Sequence, residues 1–574
     1  MAFPALSRAL IRRRSWPILV DLLVFAVVLA VILGILTTVR YWMGVVTPVA
    51  HISRSPSALP VYAFYSLVRM GVAYVLSLVF AVAYGYVAAY HRRVEAIMIA
   101  ALDILQSIPV LSFLPGVMLA MVALIPTRQF GVELGSIILI FTGQVWNMAF
   151  SFYSSLKSIP RELREAADIY RFGAWQRFLE VELPSGVIGL VWNSVVSVAG
   201  GWFFLMACEM FVLGKRDFRL PGLGSYLQTA AGSGDTAGII WGLTAMVAVI
   251  VLLDQLIWRP LIAWSERFKF EQVESVETTS PILDLLRRSS ASRWLSRRVL
   301  LPAWERLTVP RHAAVSAAGH ARRSHLARLA AAGGGLVVLA AVPFAFFQGF
   351  ELLRPMSRHD LWRTLEAAGM TFGRVAAALA IASLWAIPAG VAIGFNRRLA
   401  RVAQPLAQIA ASVPATALFP VVLLGLVGLG GGLNVGAVIL MLLGTQWYIL
   451  FNVIAGAMAI PSELRECASV FRFGRRQSWQ TVILPGIFPY LVTGLVTASG
   501  GAWNASIVAE YFHFQGKTMT TLGLGAQISS ATDSGNTALL LLSTIVMATL
   551  VVCVNRLVWR PMYRLAETKY RLET

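Results

Sequence analysis

The residues with most chemistry to offer come in matched pairs. Residues 160–184 read PRELREAADIYRFGAWQRFLEVELP and residues 461–485 read PSELRECASVFRFGRRQSWQTVILP, with thirteen of 25 positions identical at an offset of 301. Each is a polar, charged segment set between long apolar runs. Arg69 and Arg374 form a second pair, each within an apolar run, and Glu209 and Glu510 a third, each near the end of one. Ionisable groups inside a bilayer are costly and are kept for function or for pairing. Two readings of the arginines stay open: they draw an anion inward, or they lock to a carboxylate such as Glu209 or Glu510. A helix C-terminus disfavours a carboxylate, so each glutamate implies a partner unless it snorkels to the interface.

Other polar groups recur in the fifth apolar run of each half. They are Asn193, Ser194 and Ser197 before Gly200-Gly201-Trp202, and Asn504 and Ser506 around Gly500-Gly501-Ala502-Trp503. Trp202 and Trp503 are in register. Asn193, Asn504 and the two tryptophans are candidates for lining a pathway, and close helix packing through the glycines is the alternative. Pro109, Pro115, Pro414 and Pro420 break the third run of each half and free carbonyls there. Asp254 has Asn555 as its mate and is a charge of one half only.

Catalytic and metal patterns are missing from the sequence. The seven histidines include no HxxxH pair, and Cys208, Cys467 and Cys553 give no disulfide framework or metal spacing. Gly516-Lys517-Thr518 imitates the end of a phosphate-binding loop, but Tyr511 stands where that pattern needs its first glycine, and no strand is expected before it. No intrinsic ATPase and no cofactor of this chain is expected.

The elements that must carry these residues are membrane helices. The 574 residues are 57% hydrophobic and 13% charged, with mean hydropathy +0.71; soluble domains carry roughly 25% charge. Twelve apolar runs, at about 17–40, 61–90, 97–125, 135–156, 186–213, 237–262, 330–349, 370–395, 402–428, 433–458, 486–512 and 537–562, each reach the ~20 residues of a bilayer helix. The expected fold is all-α and polytopic, with about 12 spans in two parallel six-helix repeats, since an even number of spans co-orients the halves. The offset between halves is 305 up to Pro115/Pro420 and 301 from Gly135/Gly436 onward. The expected units are a first half at 1–264, a basic linker at 265–328 and a second half at 329–574. The run after Arg12, Arg13 and Arg14 is too long for a signal peptide and reads as a retained first span.

Net charge is +20, but the basic residues fall in a few short loops that alternate counting puts on one side, which is the positive-inside pattern and not a nucleic-acid surface. It places both repeated loops and both termini in the cytoplasm. The linker holds twelve Lys/Arg against six Asp/Glu, enough to keep the halves co-oriented or to lie on an anionic leaflet.

Each repeated loop reads as a short helix across the cytoplasmic face. Pro160 suits a first turn, Glu162 and Glu165 suit the N-terminal end, Ala166 and Ala167 let a partner approach, and Gly173 is expected to end the helix in a left-handed cap. Duplication at matching places argues for a docking surface. These loops resemble the EAA loops of ABC importer permeases, through Glu165-Ala166-Ala167 with Leu183-Pro184, and Glu466-Cys467-Ala468 with Leu484-Pro485. Where that family has glycine this chain has Arg171 and Arg472, with Gly173 and Gly474 two residues later, and Cys467 replaces an alanine. The segments around Pro109 and Pro414, Gly222-Leu223-Gly224, Gly523-Leu524-Gly525 and the closing Trp-Arg-Pro are most like the nitrate/sulfonate/taurine type.

The resemblance implies two separate ATPase subunits, which bind ATP and Mg, and a periplasmic or lipid-anchored substrate-binding protein. Glu162, Arg164, Glu165, Ala166, Ala167, Arg171 and Gly173, with Glu463, Arg465, Glu466, Cys467, Ala468, Arg472 and Gly474, become coupling residues. The chain becomes a fused, multi-pass pore of a bacterial inner membrane. Its substrate would be a small anion such as nitrate, a sulfonate or taurine. An ion-coupled carrier with parallel repeats is the competing reading, and it needs ionisable residues at mid-membrane.

Overall fold

The computed structural model describes residues 52–268 and 349–570, with short breaks at 108, 126–127, 214–215, 429–431 and 515–516. The expected first span and nearly all of the seventh span and the linker lie outside the described residues. The first half runs α1 (Leu59–Tyr90), α2 (Arg92–Ser107), α3 (Leu114–Leu124), α4 (Arg128–Lys157), α5 (Arg161–Ile169), α6 (Leu183–Glu209), the hairpin β1 (Val212–Leu213) and β2 (Arg216–Asp217), α7 (Leu223–Gly232) and α8 (Thr236–Leu253). The second half repeats it as α9 (Arg358–Phe395), α10 (Arg397–Ser412), α11 (Ala415–Gly428), α12 (Leu433–Ala459), α13 (Ser462–Val470), α14 (Leu484–Ala509), β3 (Tyr511–Phe514), β4 (Lys517–Thr520), α15 (Leu524–Ser534) and α16 (Thr537–Val554). Among the described residues, eight helices are long and apolar enough to cross a membrane. The chain is an all-α polytopic membrane protein, with two short antiparallel hairpins as the strands among the described residues.

Polar residues set the helix starts. Ser357 and Asp360 form a reciprocal capping box at α9, which begins twelve residues before the expected span because its first turns are polar. Asp235 and Asn536, in register, accept from Gly238 N at 2.9 Å and Leu539 N at 3.1 Å at the starts of α8 and α16. Within each half the core is a three-helix contact, α1–α4–α6 and α9–α12–α14. Small residues make it possible. Ala73, Ser77, Ala81 and Gly85 of α1, and Ala378, Ala382, Ala386 and Gly390 of α9, are buried at every fourth position. That stripe lets backbones approach without a hydrophobic driving force. A Cβ at Gly85 would lie 3.0 Å from Tyr153 N.

The third run does not cross as one helix. Residue 109 or 414 separates two helices in each half, with a short turn at Val110–Phe113 in the first. A proline removes a backbone donor and disfavours helix in the residue before it. The broken segments then pack on the opposite half. The Val110–Phe113 turn lies on α14, and α11 lies on α6.

Four further breaks are π-helical turns at register-equivalent places. They are Phe178–Glu182 and Trp479–Ile483 before the fifth spans, and Asp254–Trp258 and Asn555–Trp559 before the closing prolines. Pro184, Pro485, Pro260 and Pro561 each follow the end of their turn by two residues. A proline ring clashes with the carbonyl four residues back and supplies no N–H, and widening the preceding turn relieves both problems.

Of the Gly516-Lys517-Thr518 segment, Lys517 and Thr518 lie in β4. A strand does precede it, contrary to the sequence expectation, because Tyr511-Phe512-His513-Phe514 alternates and pairs with 517–520. The second strand stands where a phosphate-binding loop would open a helix.

Candidate functional site

The duplicated loops form short, solvent-facing helices, α5 and α13. Glu162, Glu165, Glu463, Arg465, Glu466 and Cys467 are exposed, Ala166 is half-buried, and Ala167 and Ala468 pack inward. Arg164 is half-buried and donates to Leu156 O at 2.7 Å, so it braces the end of α4. Arg465 instead lies over the Phe395 ring, 5.2 Å from its centroid.

The left-handed residue is not the glycine expected from sequence. Arg171 and Arg472 have φ of 54° and 50°, whereas Gly173 and Gly474 have φ of −64° and −62° and cap the next short helix. The bonding explains this. Phe172 N reaches Ala167 O at 2.9 Å and Arg171 N reaches Asp168 O at 3.0 Å, and Phe473 and Arg472 repeat both bonds to Ala468 and Ser469. This is a Schellman stop, whose left-handed position falls at the arginine. The residues just before it are apolar and open to solvent: Ile169 at 78%, Tyr170 at 75%, Val470 at 76% and Phe471 at 73%. Sequence reasoning passed over these four. The signal was apolar pairs kept by type, Ile-Tyr and Val-Phe, at the end of an otherwise charged helix.

At the other end of each half the paired charges close a buried clasp. Arg69 Nε and Nη2 donate to Glu133 at 2.5 and 2.8 Å, and Nη1 donates to Glu209 Oε1 at 2.7 Å and Pro221 O at 2.9 Å. Glu209 also accepts from Ser66 Oγ at 2.6 Å and Gly224 N at 2.7 Å. In the second half Arg374 Nη1 donates to Glu510 Oε1 at 2.7 Å and Leu522 O at 2.9 Å, while Glu510 accepts from Thr371 Oγ1 and from Gly525 N at 2.9 Å. Neither glutamate snorkels: both are fully buried. The carboxylate ends one helix but rests on the N-terminus of the next, α7 or α15, whose N–H groups favour negative charge. A Cβ at Gly222 or Gly523 would fall on that carboxylate.

The halves differ most at the second carboxylate of the clasp. Glu133 is replaced by Asn434, which accepts from Arg374 Nη2 at 2.7 Å, with Thr521 bonded to both. Glu133 was not singled out in the sequence, where it stands in an interhelical stretch in which the offset changes.

The remaining expected pathway residues separate. Trp202 and Trp503 are buried at 2% and 1%, and Trp503 stacks on Phe372. Asn193 donates to Gly189 O, one turn back in its own helix, at 3.0 Å. Asn504 donates likewise to Gly500 O at 3.0 Å, but its Oδ1 also accepts from Leu111 N of the opposite half at 3.4 Å. Asp254 meets Arg259 Nε at 3.1 Å.

Two helical repeats, each with an apolar bundle, a charged loop helix at one end and a buried clasp at the other, define a membrane transport component. Residues 81–257 and 386–560 match the family of binding-protein-dependent transport system inner membrane components, together over half of the chain, and the chain belongs to that family. It is similar to a bicarbonate transport system permease protein of Synechococcus elongatus, 32% identical over 149 residues, 26% of this chain and 51% of the relative. A nitrate import permease protein of Leptolyngbya laminosa is 28% identical over 187 residues, 32% of this chain and 63% of the relative. A taurine transport system permease protein of Escherichia coli is 29% identical over 171 residues, 30% and 58% respectively. Each match spans half to two thirds of the curated relative.

Proposed function

We propose that this chain is the permease of an ATP-driven importer for a small anion and docks two separate ATPase subunits, one on α5 and one on α13. The observation that carries this reading is the duplicated loop helix, with acidic residues on its flank and a bare apolar pair at its tip (Ile169-Tyr170 and Val470-Phe471). A large exposed apolar pair held next to a rigid helix stop is an anchor for a partner's pocket. The loop end then faces the cytoplasm, in line with the basic loops. A periplasmic or lipid-anchored binding protein delivers substrate to the hairpin end. ATP and Mg belong to the partner subunits, and this chain performs no catalysis. Relatives named for bicarbonate, nitrate and taurine support an oxyanion or sulfonate as the substrate class.

Nucleotide-driven closure of the two ATPases would move the loop helices, and with them the spans joined through the π turns, between two states. An ion-coupled carrier would need ionisable groups at mid-membrane, whereas Glu133, Glu209 and Glu510 are all held by arginines. The test is co-purification with the ATPase. Glu165→Lys with Glu466→Lys is expected to abolish binding-protein-stimulated ATP hydrolysis, and full stimulation in that double variant would overturn the docking assignment.

A further inference from the structure

The clasps leave a question about the substrate. If it is an anion, as the preceding reading holds, it needs donors, yet Arg69 and Arg374, the arginines expected on the pathway, are held within the clasps. Arg69 makes four hydrogen bonds and Arg374 four.

Two neutral polar side chains stand where the halves meet. Tyr448 of α12 crosses toward the first half: a Cβ on Gly200 of α6 would lie 3.6 Å from its hydroxyl oxygen. Gly501, the register mate of Gly200, flanks the same ring, with a Cβ there lying 3.6 Å from Tyr448 Cε2. Tyr448 therefore lies between equivalent points of the two fifth spans, close to the axis that relates them. Its hydroxyl has no hydrogen-bond partner among the described residues. Asn504, on the neighbouring turn of α14, spans the same boundary through Leu111. One of its two amide N–H groups goes to Gly500 O, which leaves the other free to donate. The register mate of Tyr448 is the shorter Asn147, so the second half supplies the longer reach.

Burial along the faces turned to the opposite half changes at this level. One turn toward the loop end from Gly200, Val196 is 41% exposed, and its register mate Thr497 on α14 is half-buried. One turn toward the hairpin end, Phe204 and its register mate Ala505 are at 9% and 2%. Both fifth spans are closed on the hairpin side of Tyr448, and α6 opens at Val196 on its loop side.

We propose that Tyr448 and Asn504 form the selecting constriction of the pathway and pass the anion by neutral hydrogen-bond donation, with no cationic residue in contact with it. A neutral ring suits transport physically. Conduction requires binding firm enough to enter and weak enough to leave, and a desolvated arginine would hold an anion too tightly. This inference rests on the anion-importer reading.

The test uses the complete complex of permease, ATPase subunits and binding protein in proteoliposomes, with nitrate, bicarbonate and taurine each supplied as labelled probe. Tyr448→Phe removes one oxygen and preserves shape. It is expected to lower the maximal ATP-driven uptake of the transported probe about tenfold, the scale of a hydrogen bond to a charged group. Half-saturation, governed by the binding protein, is expected to stay constant. Asn504→Asp, nearly isosteric, is expected to abolish anion uptake by like-charge repulsion, while co-purification with the ATPase shows that the variant is assembled. Wild-type uptake in both assembled variants would overturn the constriction and leave the importer reading standing. A wild-type complex that couples ATP hydrolysis to its binding protein but takes up none of the three anions would overturn the anion reading, and this inference with it.

Discussion

Single residues in this protein carry unequal strain and charge. Arg171 and Arg472 occupy left-handed backbone that costs a side-chain-bearing residue about 1–2 kcal/mol, and both copies keep it. Arg171→Gly and Arg472→Gly should strengthen the helix stop, and hydrogen exchange at the Phe172 and Phe473 amides should slow by about fivefold or more for ~1 kcal/mol; unchanged exchange would show that the arginine conformation is held without cost. The clasps lead to a second prediction. Arg69→Met leaves Glu133 and Glu209 buried without their cation and should cost about 3–5 kcal/mol, seen as a large fall in thermal midpoint in detergent. Glu133→Asn copies the arrangement that Asn434 has in the other half and should be tolerated. An equal loss in both variants would mean that the second carboxylate is indispensable in the first half.

Elements are shaped here chiefly by proline. The Leu-Pro that ends each loop and the Trp-Arg-Pro that ends each sixth span widen the turn before them into a π turn. A π turn accommodates one residue beyond the 3.6 of an α turn, so it sets the rotation of the loop helix relative to its span. Pro184→Ala with Pro485→Ala should let both turns revert to α, and ATP hydrolysis stimulated by binding protein should fall several-fold while ATPase co-purification is retained. Equal stimulation would mean that the π turn is only a packing feature. The break at residues 109 and 414 acts differently, since it redirects the chain onto the other half. The sequence marked every one of these prolines, but not which would bulge a helix and which would divide it. That choice depends on whether the freed segment finds a partner surface.

At the scale of the whole molecule, the halves are interlocked. The turn after Pro109 lies on α14 and α11 lies on α6, so each half completes the other's fifth-span wall. Leu111→Cys with Asn504→Cys, at positions joined by a 3.4 Å hydrogen bond, should form a cross-link under oxidation. After cleavage at a protease site introduced into the linker (265–328), the two halves would then migrate as one species without reductant and as two with it. Two separate species under both conditions would contradict the crossed packing.

The sequence alone determined the repeat, the membrane class and the charged loops. Apolar runs of span length admit one solvent, and a register kept over hundreds of residues leaves few alternatives for how two halves relate. It also marked Arg69, Arg374, Glu209 and Glu510, because buried charge stands out against an apolar background. Tertiary structure alone decided what those charges do. Whether an intramembrane arginine faces a solute or a carboxylate depends on which groups the packing brings within 3 Å, and Glu133, Glu209 and Pro221 are distant from Arg69 in the chain. The same holds for the left-handed arginines, since the hydrogen bonds that stop the helix, and not the nearest glycine, fix which residue must turn.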